Sequence, residues 1–138
     1  MLKTLNPSSV AKPPSNYSQA VLVPPNARWL YVSGQLGVDS RGALADGFEA
    51  QMAIAMTNVF KILAEADMSP SDIVTLRVFA ADNDPETVES YRRLRDTMMG
   101  DHAPAALFVA VDGFTSPEFL VEIEAVAAAA CPEIDSSR

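Results

Sequence analysis

The strongest constraint on this chain is an alternation of hydrophobic period. Residues 72–82 (DIVTLRVFAAD) and 119–129 (FLVEIEAVAAA) carry apolar side chains at every second position, the period of a half-buried strand. Phe48, Met52, Met56, Val59 and Leu63 recur at helical spacing, as do Val88, Tyr91, Leu94 and Met98. Residues 47–67 are therefore expected to form one helix, and a second is expected to end near Gly100. Asp46 with Glu49 resembles a capping box for the first. Asp84 followed by Pro85 is an N-cap with proline at the first helical position for the second. Tyr17–Val23, Arg28–Gln35 and Leu107–Val111 supply further strands.

The expected order is ββαβαββ, an α+β domain over residues 17–130. Residues 1–16, with Pro7, Pro13 and Pro14, read as an irregular arm. Residues 131–138 read as a frayed tail. Two helices cannot cover both faces of such a sheet, so they are expected on one face, leaving the other for a partner. On the third strand Val74, Leu76, Val78 and Ala80 form the apolar face, and Thr75, Arg77 and Phe79 point the other way. On the last strand Val121, Ile123, Ala125 and Ala127 are apolar, with Glu122, Glu124 and Val126 opposite. The mixed face suits an interface lined with polar groups.

The chain has 138 residues, enough for one domain with a sizeable core. Its net charge of −8 disfavours nucleic-acid binding and attraction to an anionic membrane. Arg92, Arg93 and Arg95 cluster, but in a helical stretch, and read as a solvated helix face. Cys131 is the single cysteine and cannot form an internal bridge, which favours a reducing, cytoplasmic setting. The proline-broken start does not read as a signal peptide, and no apolar run reaches the ~18 residues of a membrane span.

Glu122 and Glu124 are the best candidates for chemistry. Spacing of i, i+2 in a strand puts both carboxylates on one face, roughly 6–7 Å apart at Cα. In a partly dry cleft such a pair can split its pKa values, so that one serves as acid or base. On an open face the same pair is merely solvated or ion-paired. Arg77, mid-strand on that face, has two readings: an ion pair with Glu122 or Glu124, or a ligand-carboxylate site. His102 reads as a surface-loop histidine and Cys131 as an incidental thiol. One His and one Cys make a typical zinc site improbable, and no phosphate loop or G-x-G-x-x-G is present. No metal or cofactor is expected.

Tyr17-Ser18, Ser33-Gly34-Gln35, Gln51, Asn58, Pro104-Ala105 and Glu122-Ile123-Glu124-Ala125, in this order and spacing, resemble the RidA/YjgF family over about Tyr17 to Ala127. The resemblance implies a chorismate-mutase-like fold, a homotrimer, and small-molecule clefts between subunits. It implies cofactor-free hydrolysis of imines and enamines of 2-oxo acids, with Glu122 positioning the attacking water. Tyr17, Ser33 and Gly34 would line the cleft. The chain departs from the pattern where the family's deaminases carry Pro-Ala-Arg: here the stretch is Pro104-Ala105-Ala106. Val88 stands where many such deaminases carry an asparagine, and Phe108 where they commonly carry a small or polar residue. Loss of a charge-assisted contact of about 1.5–3 kcal/mol should cost roughly ten- to a hundredfold. Two readings follow: a diverged hydrolase that avoids standard 2-imino acids, or a trimeric binding protein without catalysis. A ribonuclease fits poorly with the acidic charge.

Overall fold

The computed structural model describes residues 1–132; positions 133–138 of the expected tail lie outside the described residues. The elements are β1 (Lys3–Leu5), β2 (Ala20–Leu22), β3 (Arg28–Leu36), α1 (Phe48–Glu65), β4 (Ile73–Ala80), α2 (Pro85–Met99), β5 (Ala105–Ala110) and β6 (Val121–Ala129). The arm is not wholly irregular. Its β1 pairs antiparallel with β2 in a small separate sheet. The expected strand at Tyr17–Val23 shrinks to Ala20–Leu22, and Ser18 instead bridges to Ala105 on the main sheet.

The main sheet has the order β3-β6-β4-β5. β4 and β5 run parallel, joined by α2, and the other pairs are antiparallel. Both helices lie on one face, giving the expected two-layer α+β architecture. The core is built from Met52, Met56, Val59 and Leu63 of α1 against Leu76, Val78, Val121 and Ile123 of the sheet, all fully buried. Such side chains contribute roughly 1.5–3 kcal/mol each when removed from water.

The two helix starts differ. Asp84 caps α2 as expected: its carboxylate accepts the Thr87 N–H at 2.7 Å, and that backbone hydrogen bond holds its carboxyl below the usual carboxylate range. The Asp46–Glu49 box does not form. Gly47, at φ 86°, is the N-cap of α1, a left-handed backbone that glycine adopts without a Cβ clash. Glu49 is drawn across to α2, where its carboxylate takes hydrogen bonds from Ser90 and Arg93.

A second correction concerns β4. Ile73 is fully buried, whereas Val74 is only half-buried. The β4–β6 register shifts between Ile73 and Thr75, and this bulge swaps the facing of the first residues. From Leu76 onward the alternation holds.

Candidate functional site

The sequence candidates fall into two groups on opposite sides of the sheet. Glu122 belongs to the open face. It stands beside Phe79 in the β4–β6 register and beside Leu36 in the β3–β6 register. The β3–β6 register slips between Val32 and Gln35, so Ser33-Gly34 forms a bulge. Gly34 sets the place of Glu122: a Cβ built on it would collide with the Glu122 carboxylate and push that side chain away. The bulge thus seats a bare backbone against the Glu122 side chain. Together Gly34, Glu122, Glu124, Phe79 and Phe114 line a cavity of about 300 Å³. Ser33 is exposed and is not among the residues that line this cavity; its carbonyl accepts a hydrogen bond from Gln35 Nε2 at 3.1 Å.

Arg77 pairs with Glu124, not Glu122, with Nη1 to Oε1 at 3.2 Å. The side chains are 54% and 38% exposed, so the pair is worth little to stability. It does leave Glu122 as the carboxylate of this cavity without the arginine.

Tyr17, Val88, Ala106 and Phe108 form the second group. The structure brings all four to one cavity of about 250 Å³, between α2, β5 and the arm. Phe108 stacks on Tyr91 with ring centroids 4.5 Å apart, which places this wall on the helix side. Tyr17 is held in place through its neighbours: Ser18 N–H donates to Pro104 O at 3.0 Å, and Ser18 Oγ donates to Ala103 O. Glu122 does not line this cavity, so the residues expected to make one cleft are divided within a chain.

Arg95 was missed as a site residue. It is not solvated but 1% exposed, among the largest fully buried side chains, and it lines the Ala106 cavity. The signal was in the spacing: Arg95 sits four residues after Tyr91 and seven after Val88, on the apolar stripe of α2 rather than opposite it. Arg92 and Arg93 are exposed, as expected.

Gln51 and Asn58 serve the scaffold. Gln51 donates to Ala45 O and Glu118 O and accepts the Leu120 N–H, tying two loops to α1. Asn58 donates to Val38 O at 2.9 Å, supporting the strand end beyond the Ser33-Gly34 bulge. His102 is a half-buried loop residue with Nε2 2.6 Å from Ile73 O, a structural contact. Cys131 is exposed and bonds Asn26 O. No group of three or more His, Cys, Asp or Glu among the described residues is arranged to hold a metal ion. No helix among them is long and apolar enough to cross a membrane.

The family model described as Endoribonuclease L-PSP matches residues 8–129. The chain belongs to the YjgF/RidA family. Among solved structures, this YjgF/RidA chain is similar to the Rid-family protein YyfB of Yersinia pestis, a protein of unknown function. They share 28% identity over 93% of this chain and 98% of that one, with a TM-score of 0.83. It is also similar to RidA from the Antarctic bacterium Psychrobacter sp. PAMC 21119, at 28% identity over 92% and 99% of the two chains and a TM-score of 0.68. A Mycobacterium tuberculosis member of the YjgF/YER057c/UK114 family matches at 26% identity over 82% and 86%, with a TM-score of 0.64. No curated protein matches the chain.

Proposed function

We propose that this RidA-family chain is a cofactor-free hydrolase of reactive imine or enamine intermediates, with Glu122 positioning the attacking water. It works in the cytoplasm, in clefts completed between the subunits of a homotrimer. Its substrates are not the standard 2-imino acids. The observation that carries the reading is the seat of Glu122: a carboxylate packed on the bare backbone of Gly34 and half-buried in an aromatic-lined cavity. The division of the candidates between two sides of the sheet supports a shared cleft, because each chain offers one wall with an acid and one wall without.

The chemistry needs one general base. Glu122 takes a proton from water as the oxygen bonds to the imine carbon. The C=N π electrons move to nitrogen, which takes that proton from Glu122 and restores its carboxylate. The carbinolamine then collapses: its hydroxyl proton passes through Glu122 to the nitrogen, the C–N bond breaks, and a ketone and ammonia leave. An enamine enters the same path after protonation at carbon.

Ala106 favours the second reading, a trimeric small-molecule binding protein without catalysis, because it stands where the family's deaminases carry the arginine that grips the substrate carboxylate. Ammonia release from imines generated in situ separates the two. The hydrolase reading expects turnover of a neutral imine that falls at least about a hundredfold in Glu122→Gln. It also expects poor turnover of 2-iminopropanoate, with partial gain in Ala106→Arg. Ammonia release from no substrate by any variant would leave the binding reading.

A further inference from the structure

We propose that Arg95 is the anion-binding residue of this chain, taking the carboxylate of a small apolar or aromatic monocarboxylate in the cavity beside Ala106. The inference goes beyond the proposed function, whose test substrate is a neutral imine, and rests only on the cavity at Tyr17, Val88, Ala106 and Phe108 being a ligand cleft.

A guanidinium carries five N–H donors and no acceptor. In Arg95, Nε donates to Asp96 Oδ1 at 3.0 Å. Nη1 donates to Tyr91 Oη at 3.2 Å and, at a long 3.4 Å, to Ser15 Oγ. Nη2 is buried and has no hydrogen-bond partner among the described residues. An unsatisfied buried donor on a charged group is costly. The one carboxylate in contact, Asp96, is 45% exposed and engages a single edge of the guanidinium. The plane of the group is fixed from below, with its carbon 5.0 Å from the Tyr91 ring centroid. The result is an oriented, buried cation with one unpartnered edge, on a side chain that lines the cavity.

That edge selects the ligand. A planar carboxylate meets Nη2 and, in exchange for the long Ser15 contact, Nη1, in the two-point geometry that arginine favours. A neutral amide offers one acceptor oxygen there and loses the charge assistance. The remaining walls, Val88, Phe108, Tyr91 and Tyr17, are apolar or aromatic, so the body of the ligand is apolar. About 250 Å³ sits just below the usual range of small-ligand cavities, roughly 300–1,000 Å³, and excludes a large cofactor. Arg95 is also more deeply buried than Ala106, which is half-buried. Its ligand therefore differs in reach from one held by an arginine on β5. The exposed Arg92 on the rim adds local positive charge to a chain of net charge −8, easing the approach of an anion.

The test is calorimetric binding of phenylacetate against its neutral isostere phenylacetamide. Wild type is expected to bind the acid at least about tenfold tighter than the amide. Arg95→Met is expected to remove that preference, and Arg95→Lys to keep only part of it, since an ammonium lacks the fork. The thermal midpoint of each variant is measured alongside. Should Arg95→Met fail to fold, the wild-type comparison and Arg95→Lys still decide. Equal affinity for acid and amide in the wild type, binding of neither, or an acid preference that survives in a folded Arg95→Met would overturn the assignment. Binding needs no turnover, so a failure to release ammonia would count against the hydrolase reading and leave this one standing.

Discussion

The two faces of the main sheet are made from the same strands and do opposite work. On the helix side β6 presents Val121, Ile123, Ala125 and Ala127, all buried under α1 and α2. On the open side the same strand presents Glu122, Glu124 and Val126, next to Trp29 and Tyr31 of β3, which are 49% and 75% exposed. Each side also has a cavity lined by one of the candidate groups. The open one holds an acid, Glu122; the one at the helix edge holds a cation, Arg95. Strict alternation along a strand lets a single segment build a core and display a reactive group one residue away. In one chain, however, the acid and the cation cannot face the same ligand.

The largest contrast is in stability. Ile123→Ala empties a fully buried site and is expected to cost about 2–5 kcal/mol in denaturant unfolding. Glu122→Gln, its neighbour facing the other way, is expected to change stability by no more than about 0.5 kcal/mol. A comparable loss from both would erase the distinction between the faces. Next is Gly34→Ala. Its Cβ would displace the Glu122 carboxylate, the flexible end of a side chain, so the fold is expected to survive while ammonia release falls at least tenfold, by roughly the 1.4 kcal/mol of one decade. Tyr31→Ala is expected to leave secondary structure intact and to lower the assembled mass in light scattering, because it removes an aromatic from the open face. Arg77→Gln is smaller, at most about 1 kcal/mol, since both partners of its ion pair are largely solvated.

The smallest effect is at the α2 cap. The folded-state pKa of Asp84 lies below its ordinary 3.8, chiefly because of the Thr87 backbone hydrogen bond. Its stabilisation is therefore fully present above 3.8 and lost as pH falls through the lower folded-state value. The stability difference between wild type and Asp84→Ala is expected to be constant at neutral pH and to shrink in acid. A difference that grew in acid would contradict the cap.

What was legible in the sequence follows from how local each signal is. The N-cap at Asp84, the helix stripe of α1 and the facing of Glu122 are set by neighbours a few residues away, and all three stand. The bulge at Ile73–Thr75 exchanges the facing of Val74, and no periodicity within the strand marks it. Glu49 leaves its expected box because α2 offers Ser90 and Arg93, partners 41 and 44 positions away. β1 exists only because β2 lies beside it. Arg95 is readable from its place on the α2 stripe, but the cluster with Arg92 and Arg93 masks that spacing, and its contacts with Tyr91 and Ser15 come from packing. That the Glu122 and Ala106 residues line different cavities is a property of the sheet's two sides, which short motifs in linear order do not carry.

The central claim is that a working cleft draws Glu122 from one subunit and the Val88–Ala106 wall from the next. Subunit mixing tests it most directly. Glu122→Gln lacks the acid, and Val88→Trp fills the other wall; each alone is expected to be inactive in ammonia release. Co-expressed with different tags and purified through both, mixed trimers carry one intact cleft each and are expected to regain activity. Mixed trimers that stay inactive, beside an active wild type and with both variants folded, would mean that the two walls do not meet across subunits.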